Sequence, residues 1–217
     1  AAAAAAVRGG GRRSAAAAAA DAATEASECG ETPQCLHQHQ HLLPLLRNDG
    51  GLRLSGGLLV SLNNTTASVE RTVFYDNNLE DAQVWVGPAA TTSFINNHFV
   101  ATTSTTDGAV MRVAGTATFK NNLVAYNTGV GDAMSVTGTL TENHNLWFQN
   151  LDNHASITLD STDLIDVDPI IGPLTSGACD LTELVPQYNS PAIDAGDPTL
   201  LDEDGTISDI GAFGNLT

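Results

Sequence analysis

The line TATFKNNLV, residues 116–124, decides the fold because it recurs along the chain. It lies over TLTENHNLW, residues 139–147, at a spacing of 23 residues, and over TTSFINNHF, residues 91–99, at a spacing of 25. A second element repeats between these lines, since DGAVMRV at residues 107–113 matches VGDAMSV at residues 130–136. A repeat of this length is typical of solenoids.

Short strands of alternating pattern cannot bury an apolar face alone, but parallel stacking of successive repeats buries one continuous core. The sequence therefore predicts an all-β, parallel β-helix of about five coils. Residues 50–166 form the coils and residues 167–217 an irregular C-terminal cap of the same domain. Leucine-rich repeats need a denser leucine framework, and helical repeats need an apolar period of about 3.6 residues that is not found here.

The charge and hydropathy of the sequence argue against nucleic-acid binding and against a membrane-spanning segment. The chain has 25 acidic and 8 basic residues, a formal net charge of -17. Such a field repels phosphate backbones, so we expect no nucleic-acid partner. An apolar run of about 20 residues is missing, so no membrane-spanning segment is predicted. The acids serve either solubility or the binding of divalent cations.

Asparagines recur at the predicted turns. Asn97, Asn122 and Asn145 occupy the same place in three successive lines. Asparagine tolerates the left-handed backbone conformation, and its amide can bond to neighbouring backbone groups. We expect an internal, structural amide ladder. A further position recurs after each apolar pair, at Asn77, Thr103, Asn127 and Asn150.

Hydroxyl residues also recur, on what alternation predicts to be an outward face. They are Thr91, Ser93, Thr116, Thr118, Thr139 and Thr141. Regular threonine arrays on flat solenoids are found in ice-binding proteins, which makes ice a candidate ligand. The alternative interpretation is that threonine is simply a favourable exposed strand residue.

The first 49 residues form a separate N-terminal segment and a candidate N-terminal cap. Its alanine runs, Ala1–Ala6 and Ala15–Ala20, either favour helix or stand for side chains without an assigned identity. Cys29 and Cys35 are close enough in sequence to form a disulfide, which fits an oxidising compartment. His37, His39 and His41 share one face of an extended strand, as transition-metal ligands or as ordinary exposed side chains.

The C-terminal segment carries a family resemblance. DPIIGPL at residues 168–174, SPAIDAGD at 190–197 and DIGAF at 209–213 resemble the end of bacterial β-helix surface proteins. The chain is similar over about residues 50–217 to the choice-of-anchor Q type, related to polymorphic outer-membrane protein repeats within the pectate-lyase-like superfamily. The resemblance implies a right-handed coil and a secreted or surface-displayed bacterial protein. The pattern departs at Gly214, where an acidic residue is usual.

The same segment contains a candidate calcium site. Asp197, Asp202, Asp204 and Asp209, together with Glu203, lie within 13 residues, and calcium prefers several such oxygen ligands. A solvated acidic loop is the alternative. A second acidic group, at Asp160, Asp163, Asp166 and Asp168, is explained by turn chemistry or by a further cation site.

The predicted function is a non-catalytic extracellular module, adhesin-like, that binds glycans or surface partners. The alternative is a polysaccharide lyase or glycoside hydrolase acting along the helix groove. By resemblance to the lyases, a catalytic base would be Arg71, Arg112 or Lys120. A glycosidase carboxylate pair is not identifiable from the sequence, because its separation is set in three dimensions. Ice binding through the threonine ladder is the third hypothesis.

Overall fold

A computed structural model of the 217-residue chain describes residues 6–7, 45–47, 60–64, 66–150, 157–174 and 181–214. Short strands dominate these residues: β1 (Ala6–Val7), β2 (Leu45–Arg47), β3 (Val60–Leu62), β4 (Thr66–Glu70), β5 (Val73–Tyr75), β6 (Asn78–Leu79), β7 (Val84–Val86), β8 (Thr91–Ile95), β9 (His98–Val100), β10 (Thr103–Ser104), β11 (Met111–Val113), β12 (Thr116–Lys120), β13 (Leu123–Ala125), β14 (Thr128–Gly129), β15 (Met134–Val136), β16 (Thr139–Asn143), β17 (Leu146–Phe148) and β18 (Leu164–Ile165). A 3-10 helix spans Leu181–Leu184.

The strands form four parallel sheets. Three successive coils, β3–β6, β7–β10 and β11–β14, visit all four sheets in turn, and the coil of β15–β17 visits three of them. The first sheet has the order β1-β3-β7-β11-β15, and the second β4-β8-β12-β16. The third has the order β2-β5-β9-β13-β17-β18, and the fourth β6-β10-β14. The predicted all-β parallel solenoid is therefore confirmed. It makes about 3 turns in the described residues, fewer than the five coils expected.

Strand register confirms the sequence period. Thr116 pairs with Thr139 on one side and with Thr91 on the other, so each aligned line of sequence forms one rung of the second sheet. Met111 pairs with Met134 in the first sheet. The predicted spacings hold because each inward side chain must lie above its counterpart to keep the core continuous, and a one-residue slip would turn it outward.

The core runs along the axis of the coils and contains a column of aromatic rings. Phe74 stacks on Phe99 with ring centroids 4.5 Å apart. Phe119 lies 5.5 Å from Phe99, and Trp147 lies 5.9 Å from Phe119. All four side chains are fully buried. Phe94, from the same coil as Phe99, adds a further buried ring 6.4 Å from Phe119, so the rings form a continuous column through successive coils.

Asn97, Asn122 and Asn145 form a hydrogen-bonded ladder inside the corner between the second and third sheets. Asn122 Oδ1 accepts from the backbone N–H and the Nδ2 of Asn97, at 3.0 and 2.9 Å. Asn145 Oδ1 accepts from the same groups of Asn122, at 2.9 and 3.2 Å. The amides satisfy backbone groups that the corner would otherwise bury unpaired.

The left-handed conformation belongs to the residue before each ladder asparagine. Asn96, Asn121 and His144 have φ angles of 55°, 53° and 54°, and Arg71, which precedes Thr72 at the same position one coil earlier, has a φ of 49°. The ladder asparagines themselves do not have positive φ. Of the two reasons that the sequence suggested for asparagine here, the left-handed backbone was therefore wrong, and the hydrogen bonding of the side-chain amide was right. The second recurring position was predicted one residue too late in one coil. Thr103 pairs with Asn78 and Thr128, so the residue that aligns with Asn77 and Asn127 is Thr102.

The C-terminal segment lies along the flank of the solenoid rather than only across its end. Its apolar side chains, among them Ile171, Leu184, Ala192, Ile210 and Phe213, pack against the outer face of the third sheet. That sheet is buried on both faces, which explains why all three residues of β5, β9 and β13 are buried. We call residues 181–214 the strap. The end of the core is contacted instead by Ile157 and Leu159.

Within the described ranges, no helix is both long and apolar enough to cross a membrane.

Candidate functional site: an exposed hydroxyl face

The second sheet presents two columns of hydroxyl side chains to the outside. The outer column is Thr66, Thr91, Thr116 and Thr139, and the inner column is Ser68, Ser93, Thr118 and Thr141. We call these eight residues the hydroxyl face. All four outer threonines are exposed, and the inner column is half-buried except for the exposed Thr141. The six residues predicted from the sequence thus lie together, and Thr66 and Ser68 add a fourth row.

Strand alternation and a tight corner keep the hydroxyl rows in register. Side chains between the hydroxyl residues point inward, as shown by the buried Ala117 and Phe119 of β12. Gly115 and Gly138 lie at the corner before two of the rungs, and a Cβ on Gly115 would lie only 2.3 Å from the carbonyl oxygen of Gly87 in the preceding coil. The missing side chains let successive coils approach closely, so that the hydroxyl rows remain aligned.

Two serines of the inner column already use their hydroxyls within the protein. In the inner column, Ser93 Oγ donates to Ser68 Oγ at 2.8 Å, and Ser68 Oγ donates to Glu70 Oε1 at 2.5 Å. In the outer column, the hydroxyls of Thr91, Thr116 and Thr139 have no hydrogen-bond partner among the described residues. They are free to donate to and accept from a ligand.

No charged side chain belongs to the hydroxyl face. The next column on the same sheet is Glu70, Ile95, Lys120 and Asn143. There, Lys120 Nζ lies 2.5 Å from Asp197 Oδ2 of the strap. This contact and two hydrogen bonds from Thr199 hold the pKa of Asp197 well below its usual range. The cation beside the hydroxyl face is therefore neutralised by a permanent partner.

The three basic residues considered as catalytic bases are placed apart, and each has a carboxylate partner. Arg71 lies 3.7 Å from Asp202. Arg112, on the first sheet, lies 3.0 Å from Asp81, and its guanidinium stacks 5.5 Å from the Trp85 ring. Lys120 pairs with Asp197. These arrangements make three separate ion pairs rather than one cluster.

The four carboxylates of the predicted calcium loop also go to separate partners. Asp197 Oδ1 accepts from Thr199, and Asp204 Oδ1 accepts from Thr206 in the same manner. Asp202 Oδ2 accepts from the Asp209 N–H at 3.0 Å. Asp209 Oδ1 in turn accepts from the Asp194 N–H.

Burial raises the pKa of Asp209, and the nearby Asp202 carboxylate raises it further. In the part of the chain that the structure describes, no three histidine, cysteine, aspartate or glutamate side chains converge so as to hold a metal ion. The calcium interpretation gains no support from this loop. The candidate disulfide Cys29–Cys35 and the histidines at 37, 39 and 41 lie outside the described residues.

The sequence did not indicate that Glu142 and Asp163 lie side by side. Glu142 takes an inward position on β16, in register with Phe119, and lies beside Asp163. The signal was present in the aligned lines, since TLTEN replaces the phenylalanine of TATFK with glutamate. Asp163 appeared only as one member of an acidic group, because its place beside Glu142 depends on how residues 157–165 fold back.

No protein-family profile, curated protein or solved structure matches this chain. The parallel β-solenoid is therefore established by the strand pairing itself.

Proposed function

We propose that this protein is a non-catalytic binding module, and that the hydroxyl face binds a glycan. The observation that carries the proposal is the repetition of one uncharged hydroxyl pair, four times, on an open and regular sheet. Hydroxyl groups both donate and accept, as the hydroxyls of a sugar do. A ligand that repeats along its length would meet the same pair in every coil.

Charge favours an uncharged glycan. The chain carries a formal net charge of -17, whereas the hydroxyl face carries none. An anionic polysaccharide would be repelled by the overall field and would find no free cation on the face. Neutral, extended polysaccharides meet neither obstacle.

The face also suggests a direction for the chain. Adjacent strands lie about 4.8 Å apart and the two columns about 6.7 Å, so the face is long along the stacking axis and narrow across it. Each coil advances by a distance close to the length of one sugar ring. We infer that the glycan lies along the axis, one sugar to a coil.

The lyase alternative is less well supported. A lyase base must be free to take a proton, and Arg71, Arg112 and Lys120 each contact a carboxylate instead. We also propose that the protein is a secreted or surface-displayed bacterial module of the choice-of-anchor Q type. It is supported by the C-terminal motif residues Ala192, Ile210 and Phe213, whose burial on the third sheet gives the motif a structural reason.

Ice binding is a second candidate for the same face. The observation that favours it is the alignment of Thr66, Thr91, Thr116 and Thr139 in one exposed column. An ordered hydroxyl array can order water as well as bind sugar. Thermal hysteresis at high protein concentration would identify this function, and its absence would exclude it.

The binding proposal is tested on the full chain with neutral β-1,4-linked oligosaccharides of glucose, mannose and xylose, from two to six sugars long. We expect affinity to rise with length up to about four sugars, one for each row, and then to level. The double variant Thr91→Val/Thr116→Val removes two free hydroxyls while keeping side-chain shape. It is expected to weaken binding roughly 5- to 100-fold, the loss of two hydrogen bonds.

The matched control is Thr103→Val/Thr128→Val, which removes two exposed, in-register threonines from the fourth sheet. It should leave binding unchanged. Equal loss in both variants, or no glycan binding by the unaltered protein, would refute the proposal. Release of unsaturated sugar products from polyuronates would favour the lyase.

A further inference from the structure

The coil of β15–β17, the last in the solenoid, carries an acid where earlier coils carry apolar side chains. Glu142 on β16 occupies the inward position held by Val69, Phe94 and Phe119 in the coils before it. Phe94 and Phe119 are fully buried, whereas Glu142 is half-buried. At this inward position of the second sheet, an apolar side chain is thus replaced by a carboxyl group in the last coil.

Glu142 and Asp163 lie side by side on the amide of Asn145. Asn145 Nδ2 donates to Glu142 Oε2 at 3.0 Å and lies 3.5 Å from Asp163 Oδ1. Asp163 Oδ1 also accepts from the Asn145 backbone N–H at 2.7 Å, and its Oδ2 accepts from Trp147 Nε1 at 3.0 Å. The other oxygen of Glu142 accepts from the Asp160 N–H at 2.6 Å.

These contacts fasten one segment to the end of the solenoid. Asp160 and Asp163 belong to residues 157–165, in which Ile157 and Leu159 pack against the core. Strand β18 of the same segment pairs with β17. The two carboxyl groups therefore sit at the junction between the last coil and the segment that covers it.

The charged groups that face the pair do not neutralise it. The Asp160 carboxylate is occupied by the N–H and hydroxyl of Thr162. His144 Nδ1 lies 3.2 Å from Asn143 Oδ1 and 3.4 Å from Thr162 Oγ1. Two adjacent carboxyl groups that no cation faces repel each other when both are ionised, and a shared proton relieves that repulsion. Burial, and next the Asp163 carboxylate, raise the pKa of Glu142 to about 8.

We propose that Glu142 and Asp163 form a proton-operated latch, which holds residues 157–165 on the end of the solenoid and loosens them when the shared proton leaves. In the closed state the Glu142 O–H donates to the Asp163 carboxylate. In the open state both groups are charged and repel each other. The latch requires no ligand on the hydroxyl face, whose Thr141 directly precedes Glu142 on β16.

Trp147 provides a direct readout because its indole N–H is bonded to Asp163. The chain has 2 tryptophans, so a Trp85→Phe variant leaves Trp147 as the only one. Between pH 6 and pH 10, we expect its emission to shift to longer wavelength with a midpoint near pH 8. Amide exchange of the Asp160 N–H, corrected for hydroxide catalysis, should accelerate by roughly tenfold over the same range, as expected for local opening.

Adding Glu142→Gln should abolish the transition, because glutamine keeps an acceptor for Asp160 and donates to Asp163 as the protonated acid does. The matched control is Asp160→Asn, which removes a neighbouring charge but keeps its acceptor for Thr162; its transition should stay near pH 8. A transition that survives Glu142→Gln, or no transition at all in Trp85→Phe, would overturn the proposal. Far-ultraviolet circular dichroism at pH 7 verifies that each variant is folded.

Discussion

The imidazole Nδ1 of His98 accepts a hydrogen bond from the backbone N–H of Ala212 at 2.7 Å, joining β9 to the DIGAF motif. The Phe213 ring packs edge-on against the same imidazole, with centroids 4.9 Å apart. In the neighbouring coils the position of His98 is taken by Val73 and Leu123, which are also buried. The strap therefore contacts a polar ring, that of His98, within a column of buried apolar side chains.

The burial of His98 predicts that the protein loses stability in acid. Burial lowers the pKa of His98 to about 3, against 6.5 in the unfolded chain. Between these values the unfolded state binds more protons, so the free energy of unfolding falls as pH drops, by up to about 1.4 kcal/mol per pH unit. Urea unfolding at intervals from pH 7 to pH 4 measures this slope. His98→Leu should flatten it, and an unchanged slope would assign the acid sensitivity elsewhere.

Gly211 is expected to be intolerant of any side chain. It has a φ of 112°, and a Cβ there would lie 2.2 Å from His98 Cε1. Gly211→Ala should lower the free energy of unfolding by about 2 to 4 kcal/mol, from backbone strain and overpacking together. Gly205 is the matched control, since it has a φ of 88° with nothing within 4 Å of a Cβ. Gly205→Ala should cost only about 1 kcal/mol for the backbone conformation, and equal losses would contradict the role of the contact.

The middle rung of the amide ladder should be the most sensitive asparagine. Asn122 accepts from Asn97 and donates to Phe94 O and Asn145 Oδ1, at 3.0 and 3.2 Å. Asn122→Ala leaves these buried groups unpaired, so we expect a loss of about 3 kcal/mol in the free energy of unfolding. Asn78 on β6 is exposed, and Asn78→Ala should change stability by less than about 0.5 kcal/mol. A loss of similar size in the two variants would argue against the ladder.

We expect the more buried of two ion pairs to contribute more to the free energy of unfolding. The side chains of Lys120 and Asp197 are 24% and 11% exposed, against 41% and 31% for Arg112 and Asp81. Lys120→Met leaves a mostly buried carboxylate without its cation and should cost about 1 to 3 kcal/mol. Arg112→Met should cost less than about 1 kcal/mol, as for exposed pairs. Thermal unfolding of both variants tests this order, and a larger loss for Arg112→Met would reverse it.

The repeat in the sequence predicted which residues stack, and it did so because neighbouring coils must match. The lines beginning at Thr91, Thr116 and Thr139 are three rungs of one sheet, as their spacing indicated. The same reasoning missed the earlier rung at Thr66, whose line TASVE lacks the phenylalanine that marks two of the others. It also shifted one recurring position from Thr102 to Thr103, since a corner residue carries no apolar marker to fix its register.

Sequence by itself determined the parallel solenoid, its period and the outward direction of the hydroxyl residues, because these follow from local alternation and from repetition at a fixed spacing. Only the tertiary structure decided where the strap lies, which acids meet and which basic residues are paired. His98 and Ala212 are 114 residues apart, and Lys120 and Asp197 are 77 apart. Such contacts depend on how an irregular segment folds back over the third sheet, and no periodic pattern records that path.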